Sequence, residues 1–357
     1  MEENDLDPNT SLQRCTLVPR VFLPLCGLYA LTDYEIKKWF RLNRSTILDL
    51  YGLIQHELEA STRRTRSIPV IGKLLAVLHF LDTGSFQSLS SPIVGMSQPS
   101  FSRHLGVVLK AILKHLNKYI CVPKNSEQWH RIKIGLYNVA EIPNVLCAID
   151  CTHIALVPPS SVEEQYRNRK SFHSFNVQAV CDAKLQIWEV RSGFPGSCHD
   201  YHILKQSQLY TSFERGEMPH GWLLADSGYP CRPWFLTPVP NPNSDSENRF
   251  TEAHRSTRSA VERTFGVLKM CFSALDRTGG VLMYSPEKVN DIILKCCMLH
   301  NMAVRCGDVN NIEIMNVPHD DYSPPELISQ NSTQTGVSNR TEIIERYFAC
   351  DTIIHCF

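Results

Sequence analysis

Three acidic residues stand where an acid is costly or unusual. Asp150 lies within VLCAIDCTHIAL, a nearly continuous apolar run over 145–156, the pattern of a central strand. A carboxylate there must be hydrogen-bonded, paired or bound to a cation. A structural Asp held by backbone or by an arginine meets that requirement as well as a functional one. Asp226 closes a second apolar segment, WLLAD, just before Ser227-Gly228. Acids at the C-terminal ends of strands in open α/β sheets sit where ligands bind, although an Asx turn ahead of Gly228 employs Asp equally well. Glu262 falls in HRSTRSAVERTFGVLK, where Arg258, Glu262, Gly266 and Lys269 are spaced by four, four and three residues and share one helix face. Val261, Phe265 and Leu268 take the adjacent, core-directed face. A surface Arg258–Glu262 ion pair, contributing about 0.3–0.5 kcal/mol, is the plain account. It leaves Gly266 unexplained, because glycine costs about 1 kcal/mol inside a helix. A glycine beside these charges would let a phosphate backbone approach closely.

Gathered together, three carboxylates need a counter-charge. At ~4 Å each pair repels by about 4 kcal/mol with an effective dielectric of about 20. One acid then stays protonated, or cations occupy the site. Hard oxygen donors select Mg²⁺ or Mn²⁺ over zinc. Two such ions about 3.5–4 Å apart would activate water and stabilise the leaving oxygen of an in-line displacement, which is phosphodiester hydrolysis.

The elements that must position these acids can be read in order. Residues up to about Lys133 read as helical. Tyr34 to Leu58 has helical periodicity, and Pro69 opens the apolar helix VIGKLLAVLHFL, which Gly84 ends; proline suits a first turn. After Gly95 and a candidate N-cap at Ser97, the apolar positions Phe101, Leu105, Val108, Leu109, Ile112 and Leu116 mark one face of another helix. Helix, glycine turn and capped helix, with Arg103, His104, Lys110 and Lys114 on the second helix, make a helix-turn-helix candidate, though any small helical domain contains such a turn. From Val145 to Cys306, strands (FNVQAV, LQIWEVRSGF, WLLAD) mix with helices, the longest over about Glu252 to Leu275 and the last over about Pro286 to Val304. That order predicts a mixed α/β sheet covered by helices. Beyond about Asp308 the polar DYSPPELISQNSTQTGVSNR reads as disordered, with a short helix expected within 341–357.

Composition sets the bounds. A hydrophobic fraction of 43% and a charged fraction of 20% are ordinary for a folded soluble chain. No apolar run reaches the ~18 residues of a membrane span. MEENDLDPNTS lacks a signal-peptide pattern, so an intracellular protein is expected. The 14 cysteines contain no C-x-x-C pair and read as buried reduced thiols, not zinc ligands. The net charge is zero, but its distribution is uneven. Residues 61–133 carry eleven Lys+Arg against two acids, and residues 307–351 carry two arginines against eight acids. A basic front module of this kind is expected to meet nucleic acid.

Longer motifs complete the picture: GSFQ at 84–87, SQPSFSR at 97–103, AIDCTHIAL at 148–156, YRNRKSFHSFNVQAVCD at 166–182, GFPGSCHD at 193–200, LLADSGYP at 223–230, the R-x-x-x-E-x-x-x-x-x-x-K spacing of Arg258, Glu262 and Lys269, and LHNMA at 299–303. In this order they resemble the PIF/Harbinger transposases of the DDE superfamily, and within them the vertebrate Harbinger transposase-derived nucleases. Asp226 and Glu262 have 35 residues between them, similar to the family's D35E spacing. The resemblance implies an RNase H-like domain over 145–306, preceded by an N-terminal extension (1–30) and a basic, helix-turn-helix-like module (31–133), and followed by an acidic tail (307–357). It implies Asp150, Asp226 and Glu262 as catalytic metal ligands for Mg²⁺ or Mn²⁺. Asp200 is a fourth acidic match, a metal-ligand candidate ranked below the other three and also well placed as a helix N-cap. DNA is the implied substrate, with Arg103, Arg167, Arg169, Lys170, Arg258 and Lys269 as its contacts; for His153 and His199, hydrogen-bonded structural roles stand beside phosphate contact. The alternative is a domesticated nuclear factor that binds DNA or protein without cutting, alongside a Myb/SANT-like partner. Arg63, Arg64 and Arg66 are a thin import signal, so nuclear entry with a cytoplasmic pool is expected to depend on that partner. Self-association is left open.

Overall fold

The computed structural model describes residues 28–59, 68–84, 95–309 and 333–349. The Arg63–Arg66 cluster, residues 85–87 of the GSFQ motif, most of the N-terminal extension and residues 310–332 lie outside them. A short 3-10 turn, Leu28–Ala30, leads into α1 (Asp33–Phe40), α2 (Arg44–Leu58), α3 (Val70–Thr83), α4 (Gln98–Leu113), α5 (Leu116–Tyr119) and α6 (Ser126–Ala140). The sheet region follows with β1 (Val145–Ala155), α7 (Glu163–Tyr166), β2 (Ser174–Cys181), β3 (Ile187–Pro195), α8 (Asp200–Lys205), α9 (Gln208–Glu214), β4 (Trp222–Leu224), β5 (Phe235–Leu236), α10 (Asp245–Cys271), α11 (Pro286–Arg305) and α12 (Gln334–Tyr347).

Local sequence accounts for most of the boundaries. The helical stretch over 34–58 is two helices, because Arg41 adopts a left-handed C-cap (φ 56°) and its Nε reaches Asp82 Oδ1 at 2.8 Å. Gly84 ends α3 in the same conformation, with φ 63°. α10 begins seven residues before the expected Glu252, because Ser244 and Glu247 form a capping box.

Among the described residues the sheet has the order β3-β2-β1-β4-β5. β2 pairs antiparallel with both β1 and β3, whereas β4 pairs parallel with both β1 and β5. This is the expected mixed sheet flanked by helices. α10 packs on one face. On the other lies a second core of Trp129, Ile149, Trp188, Leu204, Phe213 and Tyr229.

The basic front module does not fold as a separate body. Core residues of α1–α4 (Ile36, Leu50, Leu81, Phe101) form one cluster with Ala148 and Phe175 of the sheet and Val261 and Met298 of the covering helices. α6 crosses the expected boundary at Lys133 and packs its Leu136 with Val145, Leu224 and Phe250. The tail differs from expectation too. The run read as disordered includes the start of α12, which is capped by Thr333 and buries Ile343 and Ile344. Arg249 donates from Nη2 to Phe348 O at 2.6 Å, and Arg340 donates to Pro238 O at 2.9 Å. Two isoleucines and these backbone contacts supply what composition alone did not reveal. No described helix is long and apolar enough to cross a membrane.

Candidate active site

The sheet register brings two of the acids to one level. In the parallel β1–β4 pair, Ala148 lies opposite Leu224. Asp150 and Asp226 each come two residues later, so both return to the face of Ala148 and Leu224. Neighbouring strands run about 4.8 Å apart. That face is covered by α10, whose Val261 packs with Ala148 and whose Phe250 packs with Leu224. β4 is hydrogen-bonded along its length, and Ala225 N–H donates to Leu236 O at 3.1 Å, so Asp226 is carried out on a paired strand end.

Helix α10 adds the third acid and its counter-charge. Arg258 Nη1 donates to Asp150 Oδ2 at 2.6 Å, and Arg258 Nη2 donates to Glu262 Oε1 at 2.5 Å. The Arg258–Glu262 pair foreseen from the i,i+4 spacing is therefore present, but it is one arm of a fork that also holds Asp150. The side chains are only 14% (Arg258), 20% (Asp150) and 28% (Glu262) exposed, so the fork is not the weak surface pair first pictured. The other oxygen of Asp150 accepts its neighbour's N–H, Cys151, at 2.8 Å. Asp226 makes the Asx turn its sequence allowed, with Oδ1 accepting Gly228 N–H at 3.0 Å.

Burial pushes the Asp150 carboxyl up to about 7; Arg258 pulls it down, and the negative fields of Asp226 and Asp200 push it up again. Burial also raises Asp226, opposed by Arg258 and reinforced by Asp200. Negative charge therefore outruns the single guanidinium that contacts it. These hard oxygen donors suit a divalent cation. With Arg258 interposed, however, no three His, Cys, Asp or Glu side chains among the described residues are gathered so as to hold one ion.

Asp200 approaches from the opposite layer. It is the first residue of α8, whose N-cap is His199, not Asp200. Its Oδ1 accepts Asn176 Nδ2 at 2.6 Å. Behind the acids, Gln178 of β2 donates to Tyr229 OH at 2.9 Å and to Asp200 O at 3.0 Å. Asn176, Gln178 and Tyr229 are at most 2% exposed, and they join the turn that follows Asp226 to the start of α8. Sequence reading passed over them, yet Asn176 and Gln178 are two apart in an otherwise apolar strand, which was the available signal.

The predicted nucleic-acid residues divide by position. Arg169 lies close enough to oppose, in small part, the rise of the Asp226 carboxyl, and its Nη2 is 3.3 Å from His199 Nδ1. The loop that carries it is built by Asn168, whose Oδ1 accepts the N–H groups of Lys170 (2.9 Å) and Phe172 (3.3 Å) and whose Nδ2 donates to Ser174 Oγ (2.9 Å). Arg167 is 3.8 Å from Glu164 and more than half exposed. His153 Nδ1 is 3.0 Å from Ser174 Oγ. Gly196 lets this loop close, because a Cβ there would strike Tyr166 O and Ser174. Lys269 lies roughly 10 Å beyond Glu262 along α10. Arg103 sits elsewhere, exposed on α4 with Nη2 3.3 Å from Ser100 Oγ.

Residues 149–301 match the family described as DDE superfamily endonuclease, a span that contains all four acids. The chain is 37% identical over 276 residues to HARBI1 of Bos taurus, named as a candidate nuclease, covering 77% of this chain and 79% of that protein. The Homo sapiens HARBI1 is 36% identical over the same shares. The Arabidopsis thaliana protein named Antagonist of Like Heterochromatin Protein 1 is 26% identical over 300 residues, 77% of this chain and 74% of that one. No solved structure matches. A matched endonuclease domain on the strands that carry the acids, together with this identity over most of both chains, places the protein in the Harbinger transposase-derived nuclease family of the DDE superfamily.

Proposed function

We propose that the chain is a metal-dependent DNA endonuclease in which Asp150, Asp226 and Glu262 hold Mg²⁺ or Mn²⁺. The observation that supports this reading is the sheet register that puts Asp150 and Asp226 at one level on neighbouring parallel strands, with Glu262 tied to Asp150 through the Arg258 guanidinium between them. When bound, the cations supply an activated water and a counter-charge for the leaving oxygen. The chain's own residues do the rest. Asp150 and Asp226, raised by burial, gain most from a cation that relieves their mutual repulsion. Asp200, held by Asn176, adds negative field from the far layer and is a supporting ligand. Arg169 and Lys170 on the Asn168-built loop, with Arg258 and Lys269 on α10, orient the phosphate backbone; Arg167 and Arg103 extend that contact outward. The test is nicking of supercoiled duplex DNA by the full chain in Mg²⁺ or Mn²⁺. Asp226→Asn is expected to abolish it; nicking that survives this change would exclude the site.

A second reading has its own support. Arg258 pairs with two of the acids without a metal, and one relative's printed name is that of an antagonist of a heterochromatin protein. On that reading the chain is a nuclear factor that binds DNA or protein without cutting, entering the nucleus with a Myb/SANT-like partner while a pool stays in the cytoplasm. Duplex binding without nicking, together with nuclear entry only when such a partner is co-expressed, would select it. Self-association is measured alongside by light scattering.

A further inference from the structure

Resting on the metal-dependent reading above, we propose that Arg258 is a built-in counter-cation: it holds Asp150 and Glu262 until a DNA phosphate takes its guanidinium, and only then are both carboxylates released to a divalent ion. Metal loading is thereby coupled to DNA binding.

Three observations carry the proposal. First, the guanidinium and an ion placed between Asp150 and Glu262 would compete for the same electron pairs. Asp150 Oδ2 accepts Nη1, Glu262 Oε1 accepts Nη2, and Asp150 Oδ1 is already engaged by Cys151 N–H. Second, with the fork in place, no three acids among the described residues gather around one point, although sheet register and helix face bring Asp150, Asp226 and Glu262 to one region. Third, Arg258 is only 14% exposed. Stripped of its partners, a half-buried guanidinium is costly, so it leaves only towards another anion. A phosphodiester accepts the same two-pronged donation as a carboxylate pair, which a lysine cannot reproduce. Arg169, on the Asn168-built loop, and Lys269, further along α10, are the cations that would receive the same strand. By linkage, whatever factor DNA adds to metal affinity, metal adds to DNA affinity.

The experiment titrates Mn²⁺ into the full chain and reads the free-ion signal by electron paramagnetic resonance. It compares the unmodified chain, Arg258→Ala and Arg258→Lys, each with and without a phosphorothioate duplex, after subtracting Mn²⁺ held by the duplex alone. Without DNA, the alanine variant is expected to bind Mn²⁺ about tenfold more tightly than the unmodified chain, and the lysine variant about threefold more tightly, the scale of one half-buried ion pair released. The duplex is expected to raise the affinity of the unmodified chain and leave that of Arg258→Ala unchanged. Equal affinity in all three proteins would overturn the proposal. So would a gain confined to the alanine variant, since that reports the removed charge and no exchange. A duplex without effect on the unmodified chain would overturn it as well. The lysine variant keeps the charge and the test if the alanine variant does not fold. Adding Asp226→Asn to Arg258→Ala separates the two readings: Mn²⁺ binding that ignores it lies elsewhere, and the metal assignment itself then falls.

Discussion

Asp150→Asn should stabilise the protein, and more so as the pH rises. In the folded chain the Asp150 carboxyl titrates at about 7 against an ordinary 3.8, mainly because of burial. A raised acid is a liability above its unfolded value. The unfolded chain releases the proton near pH 4, while the folded chain holds it until about pH 7, so stability from this group falls as pH rises through that window. With those two values, ionisation costs about 2 kcal/mol at pH 5 and about 4 kcal/mol at pH 8, at ~1.36 kcal/mol for each pH unit. Asparagine cannot ionise, and it can still accept one N–H from Arg258, leaving Glu262 as that residue's charged partner. The stability advantage of Asp150→Asn over the unmodified chain should therefore grow by about 2–3 kcal/mol between pH 5 and pH 8. Urea denaturation of both proteins at the two pH values, without divalent cations, measures it. The difference between variants cancels titrations common to both, those of the buried histidines included. A difference that is flat or shrinks with pH would refute the claim that a buried, crowded carboxylate sits at this position.

Other outcomes follow from the same contacts. His254 and His300 are held neutral by burial, at about 3 and about 4 against an ordinary 6.5; the unfolded chain binds their protons first, so stability falls as pH drops through 6.5. His300 donates from Nε2 to Leu185 O, and its buried Nδ1 has no partner for a second proton. His300→Gln should accordingly lose about 2 kcal/mol less than the unmodified chain between pH 7 and pH 5, read by urea midpoints. Asn301 accepts Ile187 N–H and donates to Ile187 O and Tyr119 O; Asn301→Ala strands buried backbone groups and should cost about 2–4 kcal/mol in the same assay. Gly336 lies against the backbone of Arg232, where a Cβ would overlap it; Gly336→Ala should loosen α12 and speed hydrogen exchange of its amides, while Asp226→Asn leaves that exchange unchanged.

Much of the architecture was legible because it is written in local patterns. The apolar run around Asp150 became β1, Pro69 and Gly84 bounded α3, and Pro286 opened α11. What escaped depended on long-range partners. α12 reads as polar chain until Ile343 and Ile344 meet Phe250 and Leu236. LHNMA reads as part of an apolar helix, yet its Asn301 fastens the edge strand β3 through both backbone groups of Ile187. Nothing in the spacing of either segment announces a partner so distant along the chain.

The site divides in the same way, and the division bears on how the protein works. Spacing of four residues makes Arg258 and Glu262 neighbours on any helix. It cannot say that the same guanidinium reaches Asp150, 108 residues earlier. That second contact changes the meaning of the pair. An exposed Arg–Glu bridge would contribute little and could be lost at small cost. A half-buried arginine forked between acids on two elements holds the strand and helix charges in balance, and replacing it requires both a cation for the carboxylates and an anion for the guanidinium. Duplex DNA with its divalent counter-ions brings both at once, whereas a metal or a protein anion alone brings only one.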